Sequence, residues 1–157
     1  MAYSLIQNIV LNPGTGLDLS SAAGNYGFWA SVRPATLLGF GIICTLAAAG
    51  TETTDPIVRI QVGPQSLNGV TFADVPNFTM TPTFAAGLKL GAITEVSALL
   101  KAVDPRTGVG VVAPSGYVAS FDLNAGDVAA LNINRSASFG TTQPKAVGYI
   151  LVSPRGS

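Results

Sequence analysis

The sequence predicts an all-β fold, an antiparallel β-sandwich with long loops, and three observations lead to that prediction. Glycine and proline are frequent, with 18 Gly and 10 Pro, and they divide the chain into short segments. Several segments alternate apolar and polar residues, the pattern of a strand with one buried face. The segments recur at near-regular spacing with turn residues between them, which is typical of a sandwich or a closed barrel.

The first half of the chain contains four predicted strands, at residues 5–11, 26–32, 36–46 and 57–62. The third is the most apolar, and strict alternation places five residues on one face: Leu38, Phe40, Ile42, Cys44 and Leu46. The lone cysteine cannot form an internal disulfide, and its apolar neighbours predict a buried, unreactive thiol. In the fourth strand, Val58, Ile60 and Val62 point inward, and Arg59 and Gln61 point outward.

The middle of the chain has a weaker pattern. Residues 72–92 carry Pro76, Pro82 and Gly87 among isolated apolar residues, which predicts a long, partly extended crossing. Residues 92–103 fit both a helical stripe and a strand alternation. The β character of the rest of the chain favours the strand.

The last third returns to clear alternation. Residues 117–123 alternate, residues 124–127 (Asn-Ala-Gly-Asp) form a predicted turn, and residues 128–133 alternate again. The run 146–152 is the final predicted strand. Since the sequence shows no repeat, linker or low-complexity segment, we expect one domain over residues 1–157.

The composition restricts the classes of function. The chain has no histidine, one cysteine, and eight acidic against eight basic residues, so its formal net charge is zero. Charged residues are 10% of the chain, against roughly 25% in an average soluble domain. Zero net charge favours association between copies. The basic residues are scattered singly, so we expect neither nucleic-acid binding nor a membrane-surface role.

The sequence offers few residues for catalysis, and we expect no enzyme and no bound cofactor or metal. Without histidine, the usual nucleophile–base pairs are excluded. A carboxylate-only enzyme would need a pair among Asp104, Asp122 and Asp127, but turn chemistry already explains the first and third of these. Thr51, Glu52 and Asp55 supply oxygen ligands for calcium, at a spacing that matches no known loop.

The N-terminal residues do not form a predicted signal peptide, because they lack a basic region and Gln7 and Asn8 interrupt the apolar stretch. The apolar segment 36–50 is shorter than the roughly 18 residues that indicate a membrane span. We therefore expect a protein that is made in a cytoplasm and released from it without export by a signal peptide.

Two segments carry a resemblance to a known family. In residues 34–72, a strand that ends in Ala-Ala-Gly-Thr is followed by a polar loop and an alternating strand. Residues 121–133 form a strand, a Gly-Asp turn and a second strand. This pattern resembles small jelly-roll structural proteins of bacteriophage virions, of the decoration, minor capsid and fibre types. The two segments make up about a third of the chain, and the resemblance implies a jelly-roll-like sandwich with no catalytic motif.

The function expected from these observations is that of a virion structural protein, a capsid decoration or minor capsid protein that docks on a shell or tail. Its expected partners are copies of itself, with a trimer implied by the resemblance, and other capsid or tail proteins. The expected location is the virion, assembled in the host cytoplasm. We expect the contact surface to include six aromatic residues: Tyr26, Phe28, Trp29, Phe72, Phe78 and Phe84.

A carbohydrate-binding β-sandwich module is the alternative of a different class. In that reading, Trp29, Tyr26 or Tyr117 stacks on a glycan.

Overall fold

The computed structural model describes residues 5–12, 16–82, 93–98 and 116–155, and these form fourteen β-strands without a helix. The strands are β1 (Gln7–Val10), β2 (Leu17–Asp18), β3 (Gly24–Ala30), β4 (Ala35–Leu46), β5 (Glu52–Thr54), β6 (Ile57–Ser66), β7 (Gly69–Val70), β8 (Ala73–Met80), β9 (Ile93–Ser97), β10 (Gly116–Tyr117), β11 (Phe121–Leu123), β12 (Asp127–Arg135), β13 (Ser138–Phe139) and β14 (Lys145–Pro154). No helix long and apolar enough to cross a membrane is found in these ranges.

Two sheets make up the body of the protein. In the first sheet the order is β1-β14-β4-β9-β10, with β2 also paired to β14 and β11 to β4. In the second sheet the order is β3-β12-β6, with β7 and β8 both on the far side of β6. The pairs are antiparallel apart from β9 with β10. A small third sheet joins β5 to β13.

The strand pairing is that of a jelly roll. Taken in chain order, the eight main strands are β1, β3, β4, β6, β8, β9, β12 and β14. The first pairs with the eighth, the second with the seventh, the third with the sixth and the fourth with the fifth. This is a long hairpin rolled into two facing sheets. The predicted fold class, a jelly-roll-like antiparallel sandwich, is confirmed.

The core lies between the inner faces of the two sheets. The first sheet contributes Phe40, Ile42 and Ile150, and the second contributes Ile60 and Leu131, all nearly or fully buried. The predicted alternation in β6 and β12 is confirmed, because Val58, Ile60, Val62, Ala129, Leu131 and Ile133 all belong to this core cluster. Burial of these side chains is the main term that favours folding.

The predicted face of β4 needs a correction. Phe40, Ile42 and Cys44 point into the core as expected. Leu38 instead packs with Tyr149 and Leu151 in a separate cluster on the outer face. The cause is a bulge, since Leu151 pairs with Gly39 and the next residue of β14 pairs with Leu37. A bulge adds one residue and reverses the alternation beyond it.

At the other end of β4, Leu46 is 40% exposed. A second register shift, between Lys145 and Ala146 of β14, lies beside it. The expectation of an inward-facing Leu46 was therefore wrong, for the same physical reason as Leu38.

The middle of the chain is more regular than predicted. Residues 73–80 form β8, which pairs with β6, so this part of the predicted crossing is a strand. Pro76 and Asn77 interrupt the pairing, and Asn77 has a φ of 64°. The strand favoured for 92–103 is confirmed over Ile93–Ser97. The other parts of these two segments, 83–92 and 99–103, lie outside the described residues.

The turn at residues 124–127 is confirmed, but its role differs from a hairpin. β11 before it pairs with β4 in the first sheet, and β12 after it lies in the second. The turn therefore carries the chain from one sheet to the other. The Asp127 carboxylate accepts a hydrogen bond from the Asn124 amide at 2.7 Å, and Gly126 has a φ of 89°, which favours glycine.

Gly41 creates the space for a contact that spans three strands. Tyr149 of β14, Gly41 of β4 and Glu95 of β9 lie side by side in register. The Tyr149 ring lies over Gly41 and its hydroxyl donates a hydrogen bond to Glu95 Oε2. A Cβ atom on Gly41 would overlap that ring. Glycine is therefore required in the middle of an otherwise bulky strand.

Replacement of Gly41 by alanine should destabilise the protein by about 1–3 kcal/mol, because the added methyl group displaces the Tyr149 ring. Chemical denaturation gives the free energy of unfolding. Gly24→Ala in β3 is the matched control, since a Cβ there would meet its nearest atom at 3.8 Å, an ordinary contact. Equal effects of the two substitutions would contradict the packing described for Gly41.

Cys44 is buried, with 3% of its surface exposed, as the sequence predicts. Burial raises the pKa of its thiol, against a smaller opposite effect of the Leu46 backbone. The thiolate, which is the reactive form, is therefore disfavoured.

We expect slow modification of Cys44 by a thiol reagent in the native protein and fast modification in denaturant. Cys44→Ser should cost about 1–3 kcal/mol in unfolding free energy, because a hydroxyl is buried among apolar groups. Fast modification of the native protein would contradict this placement.

Candidate functional site

Two of the predicted aromatic residues form a contact on the outer face of the second sheet. Phe28 of β3 and Phe72, just before β8, have ring centroids 5.9 Å apart. Phe28 is 57% exposed, and Phe72 is half-buried. We call these two residues the aromatic pair. The pair extends across the face above Ala130, which is fully buried and pairs with Phe28 in register.

Tyr26 and Trp29 lie differently. Both are half-buried and pack against the core. Gly27, which lies between Tyr26 and Phe28 in the chain, is a bulge residue with a φ of 67°. The bulge brings Tyr26 and Trp29 to the same inner face, although three positions separate them. The Tyr26 hydroxyl donates a hydrogen bond to the Ala22 carbonyl at 2.6 Å.

Phe78 does not belong to the surface. It is fully buried and stacks on Phe40 of the opposite sheet, with centroids 6.3 Å apart. Its inclusion among the contact residues was wrong, because the interruption at Pro76 and Asn77 turns Phe78 inward. Phe84 lies outside the described residues.

A polar network crosses four strands of the second sheet. Asn132 Nδ2 donates to Asn25 Oδ1 at 2.6 Å, and Arg59 Nε donates to Asn132 Oδ1 at 2.8 Å. Arg59 also forms an ion pair of 2.8 Å with Asp74, whose other oxygen accepts a hydrogen bond from Gln61. The network crosses β3, β12, β6 and β8. The charges of Arg59 and Asp74 neutralise each other within the network. The outer face of the second sheet therefore combines exposed aromatic surface with hydrogen-bonded polar side chains, as interfaces do.

A shallow groove opens at the edge of the sandwich near the start of β1. Its volume is about 220 Å³. Its lining comes from the end of β3 and the loop after it, from the end of β14 and from β1: Gln7, Trp29, Ala30, Ser31, Val32, Arg33, Ala35, Val152 and Pro154. Most of the lining is uncharged, and Arg33 is its charged member.

The carboxylates singled out from the sequence hold the loops in which they lie. Asp122 accepts a hydrogen bond from Thr36 at 3.2 Å and lies 3.5 Å from the Arg155 guanidinium. Asp127 binds the backbone of its own turn. Asp104 is outside the described residues. The proposed catalytic carboxylate pair therefore gains no support from Asp122 and Asp127, whose partners are structural.

The calcium hypothesis at Thr51, Glu52 and Asp55 falls on β5 and the loop that follows it. The Asp55 carbonyl accepts a hydrogen bond from Arg135 at 2.9 Å. Within the ranges that the structure describes, no group of three or more His, Cys, Asp or Glu residues is close enough to hold a metal ion.

The buried pair of Tyr149 and Glu95 was not predicted from the sequence. Both are almost fully buried, with 4% and 6% of their surface exposed. Burial raises the pKa of Tyr149, and the hydrogen bond to Glu95 raises it further. The phenol therefore remains protonated and holds the carboxylate in place. The sequence signal that could have found it is a lone glutamate in an apolar strand together with a glycine in the neighbouring strand.

This pair predicts a pH dependence of stability. The pKa of Tyr149 is raised in the folded state above its ordinary value of about 10. Its contribution is therefore fully present below pH 10 and is lost as the pH rises further, because the unfolded chain releases the proton first. We expect the unfolding free energy to fall above pH 10 by up to about 1.4 kcal/mol per pH unit for this one group.

Tyr149→Phe isolates that contribution. The variant should be less stable at pH 7 by about 1–3 kcal/mol, since the buried carboxylate loses its donor, and its stability should fall less steeply above pH 10. Tyr26→Phe, at a half-buried tyrosine, is the control. An unchanged slope in Tyr149→Phe would show that the phenol ionises in the folded protein.

Comparisons of the chain with protein-family models, with curated proteins and with solved structures gave no match.

Proposed function

We propose that the protein is a virion structural protein, a capsid decoration or minor capsid protein that associates with copies of itself and docks on a shell or tail. Its sequence resembles that class in residues 34–72 and 121–133. The jelly-roll pairing is compatible with it, since viral capsid domains are among the proteins that use this fold. Because a fold alone does not establish a function, the proposal depends on the surface.

The distribution of exposed apolar side chains is the observation that carries the proposal. Among the described residues, four of the eight exposed large hydrophobic side chains lie at one end of the sandwich: Leu5, Ile6, Val32 and Leu67. We call these four residues the apolar end. Val32 is 88% exposed, and Leu67, at the tip of the β6–β7 hairpin, is fully exposed.

The register places these residues together. The Gly126 amide donates a hydrogen bond to the Ser31 carbonyl at 2.7 Å, and the Gln65 backbone amide donates one to the Gly126 carbonyl at 3.0 Å. Val32 and Leu67 therefore follow strand ends that share the same turn. β1 begins at this end too, because Gln7 pairs with Val152 near the end of β14. Grouped exposed apolar residues mark interaction sites more often than scattered ones do.

Charge does not oppose this association. The net charge is zero, so copies do not repel one another at long range. Arg59 and Arg155 are paired with Asp74 and Asp122. An interface that covers either of these two ion pairs would bury charges that already have a partner, which lowers the desolvation cost of binding.

No observation singles out the carbohydrate-binding alternative. Glycan stacking needs a free aromatic ring face. Tyr26 and Trp29 are half-buried and pack against the core, and Trp29 also lines the groove beside β1. The side chain of Tyr117 is not among the described groups. We therefore propose no second function.

Sedimentation at micromolar concentration tests the proposal. We expect a homo-oligomer, with a trimer implied by the resemblance, in place of the 15.9 kDa monomer. Leu67→Lys combined with Val32→Lys should shift the distribution toward monomer, because two charges enter the apolar end. Ile93→Lys, at a residue that is 59% exposed and lies at the opposite end, is the control. A wild-type monomer that binds no shell or tail protein would contradict the proposal.

A further inference from the structure

Among the residues that the structure describes, the edge strand β1 has backbone groups without a partner. It pairs with β14 on one side and is the edge of the first sheet on the other. The Leu11 amide donates to Gly148 of β14 at 2.9 Å. Because backbone groups alternate in direction along a strand, Gln7 and Ile9 also point toward β14. Ile6, Asn8 and Val10 therefore point their amides and carbonyls away from the sheet.

Nothing in the described part of the chain caps this edge. Within residues 5–12, 16–82, 93–98 and 116–155, no hydrogen bond outside the β1–β14 ladder involves Ile6, Asn8 or Val10. The register with β14 contains no bulge, so the strand is regular. Residues 5–12 contain neither a charged residue nor proline, which are the devices that proteins use to prevent an edge from pairing.

The edges of the second sheet are different. β3 contains the bulge at Gly27. β8 contains Pro76, which has no amide to donate, and Asn77 with its positive φ. Both features disrupt the pairing of an added strand. β10, at the far edge of the first sheet, has two residues. β1 is thus the regular, uncharged edge among the described strands.

The side chains of β1 indicate which strand it can accept. Asn8 and Val10 share the outer face, since they alternate with Ile9 and Leu11, which pack in the core. Ile6 directly precedes β1, and the same alternation carried one residue further places it on that face. Ile6 and Val10 are 42% and 50% exposed, and Asn8 is exposed between them. The strand therefore presents an apolar, an amide and an apolar side chain in sequence.

This pattern is complementary to itself in antiparallel orientation. With a twofold axis at Asn8, the two Asn8 side chains face each other, and each Ile6 faces the Val10 of the second copy. Each of these pairs also exchanges two backbone hydrogen bonds. Opposed residues have Cβ atoms about 4.5–5.5 Å apart, so apolar groups meet apolar groups and amides meet amides. A contact of this kind uses the same surface on both copies.

We infer that β1 is the site at which two copies of this chain join, through antiparallel β1–β1 pairing that makes one continuous sheet across a dimer. The inference rests on the proposed self-association and specifies one contact within it. The occupant is a second copy because the edge is uncharged and its three outward residues complement themselves. The contact lies apart from the aromatic pair, which remains available for a threefold contact or for a shell protein.

Cysteine crosslinking tests the register. In this arrangement Asn8→Cys places two thiols opposite each other, at a Cα separation of about 5.5 Å that a disulfide can span. Val10→Cys is the matched control, since it is equally accessible but faces Ile6 of the second copy. With oxidation or a short bismaleimide, Asn8→Cys should give at least about tenfold more covalent dimer than Val10→Cys, because facing thiols have a high effective concentration. Cys44 is buried, and its contribution is read from the wild-type protein.

A second comparison tests whether the contact is made by the edge of β1. Adding Val10→Lys to Asn8→Cys should abolish most of the crosslinking, since the ammonium group meets Ile6 of the other copy. Adding Ile93→Lys to Asn8→Cys should leave it unchanged. Circular dichroism checks that all variants remain folded.

The outcomes are distinguishable. If wild-type protein is an oligomer but Asn8→Cys crosslinks no better than Val10→Cys, β1 meets another occupant or another register, and this inference is overturned while the proposed function stands. If Asn8→Cys crosslinks selectively but the protein joins no shell or tail, the inference stands and the virion assignment fails. A wild-type monomer without crosslinking overturns both.

Discussion

The pairing of β14 with β4 is the constraint on which the rest of the structure depends. These two strands are the longest in the first sheet, and they are joined over ten register positions from Lys145 to Pro154. Every other described strand of that sheet except β10 pairs with one of them. A shift of one residue would move Phe40 out of the core and bring Gly41 into it. The register is fixed from both faces, because Ile150 packs in the core while Tyr149 lies over Gly41 on the outside.

Much of this fold could be predicted from the sequence, because alternation reports directly which face of a strand is buried. It identified the inner residues of β6 and β12 and the final strand. It failed at Leu38, Leu46 and Tyr26, where a bulge shifts the register, and around Pro76, where the pairing of β8 is interrupted. A bulge depends on how many residues the partner strand offers opposite it. The partner of Leu38 lies in β14, far away in the sequence, so no local pattern could show the extra residue.

The surface residues also include some that could be predicted from the sequence and some that could not. The sequence identified Phe28 and Phe72 as contact candidates, because aromatic residues in an alternating strand are frequent at interfaces. It could not separate them from Phe78, since the outward or inward direction of each ring depends on the interruption of β8. The Tyr149–Glu95 contact joins residues that share no local pattern, and β4 brings them together. The absence of charge in β1 can be read from the sequence, but its position at the edge of a sheet is known only from the strand order in the structure.

The central position of β14 also has a consequence for synthesis on the ribosome. About a hundred residues separate β4 from β14, so the nascent chain carries an apolar strand of twelve residues without its main partner while those residues are made. Both edges of β4 are open until β9 emerges and pairs with one of them, and the edge that β14 covers stays open for the whole interval. An uncharged apolar strand with an open edge is a site for association between nascent chains. Slow translation would prolong this exposure, and high expression would raise the concentration of exposed β4 strands. The yield of soluble protein would then depend on how fast the C-terminal strand is delivered, and chaperones that cover apolar segments would protect β4 until it arrives.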